Sequence, residues 1–140
     1  MLNLHNCKNE LKGYNLKATE ARLAVLKILE NSAKPIDVTT IIEYLKNQHV
    51  QTDEVTVFRI IKLFTDRGLT RKVQLQEDKF RYELNSQKAH HHLVCQICGE
   101  IEDFSQCNIQ ALEKDIEKKK KFKVLDHSLE FFGVCSKCQK

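Results

Sequence analysis

The chain has 140 residues, 41% of them hydrophobic and 30% charged, with four glycines and one proline. That composition excludes a disordered or collagen-like chain, and no apolar run is long enough to cross a bilayer as a helix, so no membrane partner is expected. The net charge of +4 permits nucleic-acid binding without requiring it. A chain of this size makes one ordinary domain or two small ones, and small domains often need a metal or a partner for stability. Met1–Gly13 is polar and lacks the apolar core of a secretion signal, so the expected compartment is the cytoplasm.

In chain order, Ala21, Val25, Ile28 and Leu29 recur at helical spacing, as do Val38, Ile41, Ile42 and Leu45, and then Val57, Ile60, Ile61 and Phe64. Three successive amphipathic helices are predicted, with Thr19 and Asp37 as N-caps of the first two and Gly68 as a left-handed end to the third. After Gly68 the period falls to two. Val73 and Leu75, a polar turn at Gln76 to Lys79, and Phe80, Tyr82 and Leu84 alternating with Arg81 and Glu83 read as a short hairpin. Three helices followed by a hairpin is the order of a winged helix, whose third helix enters the DNA major groove. With its apolar residues turned inward, that helix presents Thr56, Arg59 and Lys62 outward, a hydroxyl and two cations suited to base edges and phosphates. The same face also describes a solvated helix, because helical triplets build bundles that touch no DNA.

Asn85 to Ala89 is short and polar and reads as a hinge. Beyond it, His90 to Cys95 and Ile101 to Phe104 read as strands, and Ile109, Leu112 and Ile116 mark a helix closing on Lys118 to Lys121, where cations suit the negative helix end. Leu125, His127, Leu129 and Phe131 share one face of a last strand leading to Cys135. The expected architecture is α+β: an N-terminal winged helix-turn-helix domain over residues 1–84, a hinge over 85–89, and a small α/β dimerisation and metal-binding domain over 90–140.

Two Cys-x-x-Cys pairs, Cys95 with Cys98 and Cys135 with Cys138, offer the four thiolates of a tetrahedral structural zinc site. Disulfides are the alternative, and a reducing cytosol disfavours them. Four thiolates leave no open metal position and neither pair follows a proline, so a zinc hydrolase or deaminase is not expected, nor is a small-molecule substrate. A thiol-disulfide protein needs one such pair in a strand-helix unit. In a strand, His90 and His92 point one way and His91 the other. With the carboxylates of Glu83 and Asp103 they form a nitrogen and oxygen donor set that suits iron(II), manganese(II), zinc or nickel. Ligands on both sides of a hinge would couple metal binding to the angle between the halves. A surface histidine cluster of no consequence fits the same run, and His127 reads as a hydrogen-bonded core histidine.

The segments KATEAR (Lys17 to Arg22), TVFRIIKLF (Thr56 to Phe64), RYEL (Arg81 to Leu84), HHHLVCQICGEIEDF (His90 to Phe104) and HSLEFFGVCSKC (His127 to Cys138) together resemble the ferric uptake regulator family of bacterial metalloregulators. The resemblance implies a homodimer that binds palindromic double-stranded DNA operators when its regulatory metal is bound, and that usually represses. It implies Cys95, Cys98, Cys135 and Cys138 as structural Zn2+ ligands, and Glu83, His90, His92 and Asp103 as ligands of a regulatory site for Fe2+, with Mn2+ or Zn2+ as alternatives. It places Lys17, Phe58 and Arg59 against DNA, and leaves His91 and His127 from a further metal site whose other positions are here Ala89 and Gln110. One departure stands out. The family's fifth regulatory ligand, a histidine, falls where this chain reads Ala33, Lys34, Pro35, with His5, Cys7 or His49 as available substitutes. Asp103 resembles the peroxide-sensing branch, and a regulator with a decayed sensing site, kept folded by zinc, is the other alternative.

Overall fold

The computed structural model describes residues 4–85, 91–105 and 108–140. The chain divides into two compact units, Met1–Ser86 and Gln87–Lys140. The first opens on a helix that the periodicity does not announce, α1 (Leu4–Gly13). Its anchors are Cys7 and Leu11, one turn apart and fully buried. Two apolar positions are too few to stand out as a repeat.

The three predicted helices follow as α2 (Glu20–Asn31), α3 (Val38–Asn47) and α4 (Glu54–Asp66), with a short strand β1 (Ile36–Asp37) before α3. Each starts on a side-chain cap that satisfies an orphan backbone donor. Thr19 Oγ1 accepts from the Arg22 N–H at 3.2 Å and Asp37 from the Thr40 N–H at 3.4 Å. Asp53 caps α4, accepting from the Thr56 N–H at 2.7 Å. Helix α4 ends at Gly68, whose φ of +80° suits a residue without Cβ. The Leu69 N–H reaches back to the Phe64 carbonyl at 2.9 Å, closing a Schellman turn.

The chain then forms β2 (Thr70–Val73) and β3 (Arg81–Leu84), paired antiparallel from Thr70 opposite Leu84 to Val73 opposite Arg81. The sheet order is β1-β3-β2. Helices α2, α3 and α4 pack their apolar stripes together over this sheet. Leu26, Leu29, Ile41, Leu45, Ile61 and Phe64 are among the fully buried side chains. Each contributes about 1.5–3 kcal/mol of transfer free energy against the entropy of ordering it. This unit is a winged helix.

The second unit contains β4 (His91–Cys95), β5 (Ile101–Phe104), helix α5 (Ile109–Lys120) and β6 (Glu130–Gly133). Its sheet runs β5-β4-β6, antiparallel on one side of β4 and parallel on the other. The last strand is shorter than its alternation predicts. β6 pairs with β4 only from Glu130 opposite His92 to Gly133 opposite Cys95, so Leu125, His127 and Leu129 precede it in irregular backbone and share no strand face with Phe131. Helix α5 buries no side chain within this chain, and Leu112, Phe122 and Leu125 remain 55%, 63% and 85% exposed. Asn85, placed in the expected hinge, belongs with the first unit: its side-chain amide donates to the Gly68 carbonyl at 2.8 Å. The rest of the hinge, Ser86 to Ala89, lies outside the described residues.

Candidate metal centres and nucleic-acid interface

The two Cys-x-x-Cys pairs converge. The sulfurs of Cys95, Cys98, Cys135 and Cys138 all lie within 4.8 Å of one another. Cys98 and Cys135 are 3.8 Å apart at Sγ. That is close to the edge of a tetrahedron whose metal–sulfur bonds are about 2.3 Å. Each pair sits on a tight turn. Gly99, at φ +78°, lets its own N–H return to the Cys95 carbonyl at 2.9 Å, and the Cys138 N–H returns to the Cys135 carbonyl at 3.0 Å. Strand pairing of β4 with β6 brings the turns together. Cys95 Sγ accepts from the Cys135 N–H at 3.4 Å, and this donor, followed by the Cys98 backbone N–H, pulls the Cys95 thiol down to about 6. Cys138 is pushed up to about 12, first by its sulfur contact with Cys135. Several thiolates cannot crowd together uncompensated, and a divalent cation is the charge that relieves them. The donor set fits zinc.

The candidate regulatory ligands divide between the units. In the second, β4 and β5 place His92 opposite Asp103, with Nε2 and Oδ1 3.9 Å apart. His92 is buried and Asp103 is half-exposed. His91 is buried too, so strand alternation does not leave one of these neighbours in solvent. His90 lies outside the described residues. In the first unit Glu83 is 5% exposed on β3, and its carboxylate accepts from Arg71 Nε at 2.6 Å. Arg71 was not a candidate in the sequence; its cross-strand register opposite Glu83 is the signal that could have found it. In the loop lacking a histidine, the Pro35 carbonyl accepts from Arg81 Nη1 at 3.1 Å. Of the possible substitutes, Cys7 is on the buried face of α1 and donates to Glu30 at 3.3 Å, His49 is exposed, and the His5 side chain is outside the described residues.

His127 is exposed, not a core residue: with β6 starting only at Glu130, its backbone has no strand partner to carry it inward. Its Nδ1 lies 2.7 Å from Glu113 Oε1, and its ring centroid is 5.3 Å from that of His91. Glu113 stands three positions beyond Gln110 on α5, on the adjoining turn of the same face.

On the helix expected to read DNA, Val57, Ile60, Ile61 and Phe64 are buried, and Phe58, Arg59 and Lys62 are exposed. The Lys62 ammonium pairs with Asp66 at 3.0 Å. Thr56 is half-buried and its N–H donates to the Asp53 carboxylate at 2.7 Å; the neighbouring Thr56 side chain, then this N–H, hold that acid below its usual range. Lys17 is exposed just before α2, its carbonyl accepting from Arg22.

Residues 13–132 match the ferric uptake regulator family. The chain belongs to that family. It is a metal-responsive, DNA-binding transcriptional regulator. Among its relatives, the ferric uptake regulation protein of Cupriavidus metallidurans is 33% identical over 91% of this chain and 90% of its own length. Among solved structures, the ferric uptake regulator of Vibrio cholerae superposes with a TM-score of 0.77 at 31% identity, covering 91% of this chain and 98% of that one. The Francisella tularensis regulator solved with iron gives 0.77 at 30% identity over 89% and 96% of the two chains. That relative was solved with iron, and the converged cysteines are the part of this chain whose donor set suits zinc.

Proposed function

We propose that this chain is an iron(II)-responsive repressor, working in the cytoplasm as a homodimer on a palindromic operator. Cys95, Cys98, Cys135 and Cys138 hold structural zinc. Glu83, His90, His92 and Asp103 form the regulatory set, and Lys17, Phe58, Arg59 and Lys62 meet DNA, with Thr56 fixing the start of the reading helix. Residues 1–84 are the DNA-binding domain and 90–140 the dimerisation domain. The observation that carries the regulatory reading is the buried His92 beside Asp103, a nitrogen and oxygen donor pair on the β4–β5 ladder. Bound iron would supply the positive charge that holds such nitrogen and oxygen donors in one state. The exposed apolar residues of α5 and beyond supply the surface that a second copy covers.

Elemental mass spectrometry on anaerobically purified protein tests this, with anisotropy of a labelled operator duplex alongside. The expected result is one zinc that survives mild chelation and one exchangeable iron that is lost in His92→Ala. Operator binding should fall with that iron. Equal operator affinity with iron(II) and with chelator would refute metal-dependent repression.

The Arg71–Glu83 ion pair favours a second reading, a zinc-stapled DNA binder with a decayed sensing site, because a guanidinium already neutralises a family ligand. On that reading Arg71→Ala leaves metal content at zinc alone. On the first it tightens iron binding by freeing the carboxylate.

A further inference from the structure

The first turn of a recognition helix is where side chains reach base edges. In α4 those side chains divide in a way that the residue types do not announce. Thr56 carries the hydrogen-bonding group, yet it is half-buried and its N–H is committed to the Asp53 carboxylate at 2.7 Å. Val55 carries no polar group and is 57% exposed, and Phe58, three positions on, is 54% exposed. Residues at that spacing adjoin on a helix surface. They form a short apolar ridge with the cations of Arg59 and Lys62 beside it.

Nothing in the packing accounts for valine there. It is stiff, a poor helix former, and at this exposure it adds little to the core. Asp53 and Glu54 place two carboxylates at the helix tip, which makes the tip a poor phosphate site. What remains in a major groove for an aliphatic group is the C5-methyl of thymine, the apolar feature of its base edges.

We propose that Val55 is a specificity-determining residue, its exposed isopropyl group packing beside Phe58 on the C5-methyl of a thymine in each operator half-site. This rests on the DNA-reading function assigned to α4. Thr56 sets the position at which the helix begins, and so aims Val55.

Metal-loaded protein is used to enrich duplexes from a random library, and the enriched duplex becomes the probe. Each thymine is replaced in turn by uracil, which removes only the methyl group. Affinities are then compared between the unsubstituted protein and Val55→Ala, a variant with better helix propensity. Loss of about fourfold is expected at one thymine per half-site. Val55→Ala should lose as much on the unmodified duplex and be indifferent to uracil at that position. Val55→Thr, of similar shape, should fall between. Equal binding of the unmodified duplex by Val55→Ala, or undiminished uracil sensitivity at every thymine, overturns the proposal while leaving the DNA-reading function intact. Failure of the unsubstituted protein to enrich any sequence overturns both.

Discussion

The two units solve the stability problem differently. The winged helix carries its own core: every member of the contiguous buried cluster lies between Cys7 and Leu84. Among the described residues of the second unit the buried hydrophobic ones are Cys95 and Ile101, and α5 contributes no buried side chain. A unit of that size cannot offset chain entropy with so little apolar burial. On the proposed reading its order comes from a metal joining its two Cys-x-x-Cys turns and from the surface that α5 offers a second copy. Hydrophobic burial and metal ligation are alternative ways to hold a small unit, and on that reading this chain uses one in each half.

The largest effect should come from the metal. Stripping zinc with a strong chelator removes ligation of the order of 10–16 kcal/mol, and replacing Cys98 with Ser weakens it by deleting one of four thiolates. The expected outcome in a two-dimensional amide NMR spectrum is collapse of signals from residues 91–140 with those of the winged helix unmoved. Coincident loss of both halves would break the comparison. Truncating the first unit's core should do the converse. Phe64→Ala leaves a cavity at a fully buried site and should cost about 3–5 kcal/mol in urea unfolding of the winged helix, with zinc content unchanged.

Smaller effects sharpen the picture within the first unit. Asp37→Ala removes the α3 cap and should cost about 1 kcal/mol. Burial alone would raise the Asp37 carboxyl, but the Thr40 hydroxyl and Lys79 outweigh it and hold it below its ordinary 3.8. Its contribution is present above the unfolded value and is lost as pH falls through the folded one, so the Asp37→Ala penalty should vanish in strong acid. Glu10 on α1 behaves oppositely. Burial, then the hydrogen bond to the Glu30 carboxyl, raises it to about 7 from 4.5. Its share of α1 docking is complete below the unfolded value and is lost as pH rises through the folded one. NMR signals of α1 should broaden as the pH passes neutrality, and Glu10→Gln should abolish that dependence.

The elements differ in how legible they were for identifiable reasons. The helices α2 to α4 carry long, regular repeats, and the structure places them where the period does; the hairpin also forms, but its strands Thr70–Val73 and Arg81–Leu84 leave Leu75 and Phe80 in the connecting loop. Helix α1 rests on Cys7 and Leu11, and the strand expected from Leu125 shrank because β6 pairs with β4 only from Glu130 onward. The converged zinc ligands were readable because Cys-x-x-Cys spacing is short and local. Arg71 beside Glu83 and Glu113 beside His127 were not, because partners at separations of 12 and 14 residues meet only through sheet register and helix docking.

Sequence by itself determined the family, the helices α2 to α4, the caps at Thr19 and Asp37, and the four cysteines that converge, since each is written in periodicity or close spacing. Tertiary structure alone decided which polar groups are already committed. It turned Thr56 into a cap partner and left Val55 exposed, and it gave Glu83 to a guanidinium. A hydrogen bond or an ion pair needs two groups within about 3 Å, and only the folded chain fixes that distance.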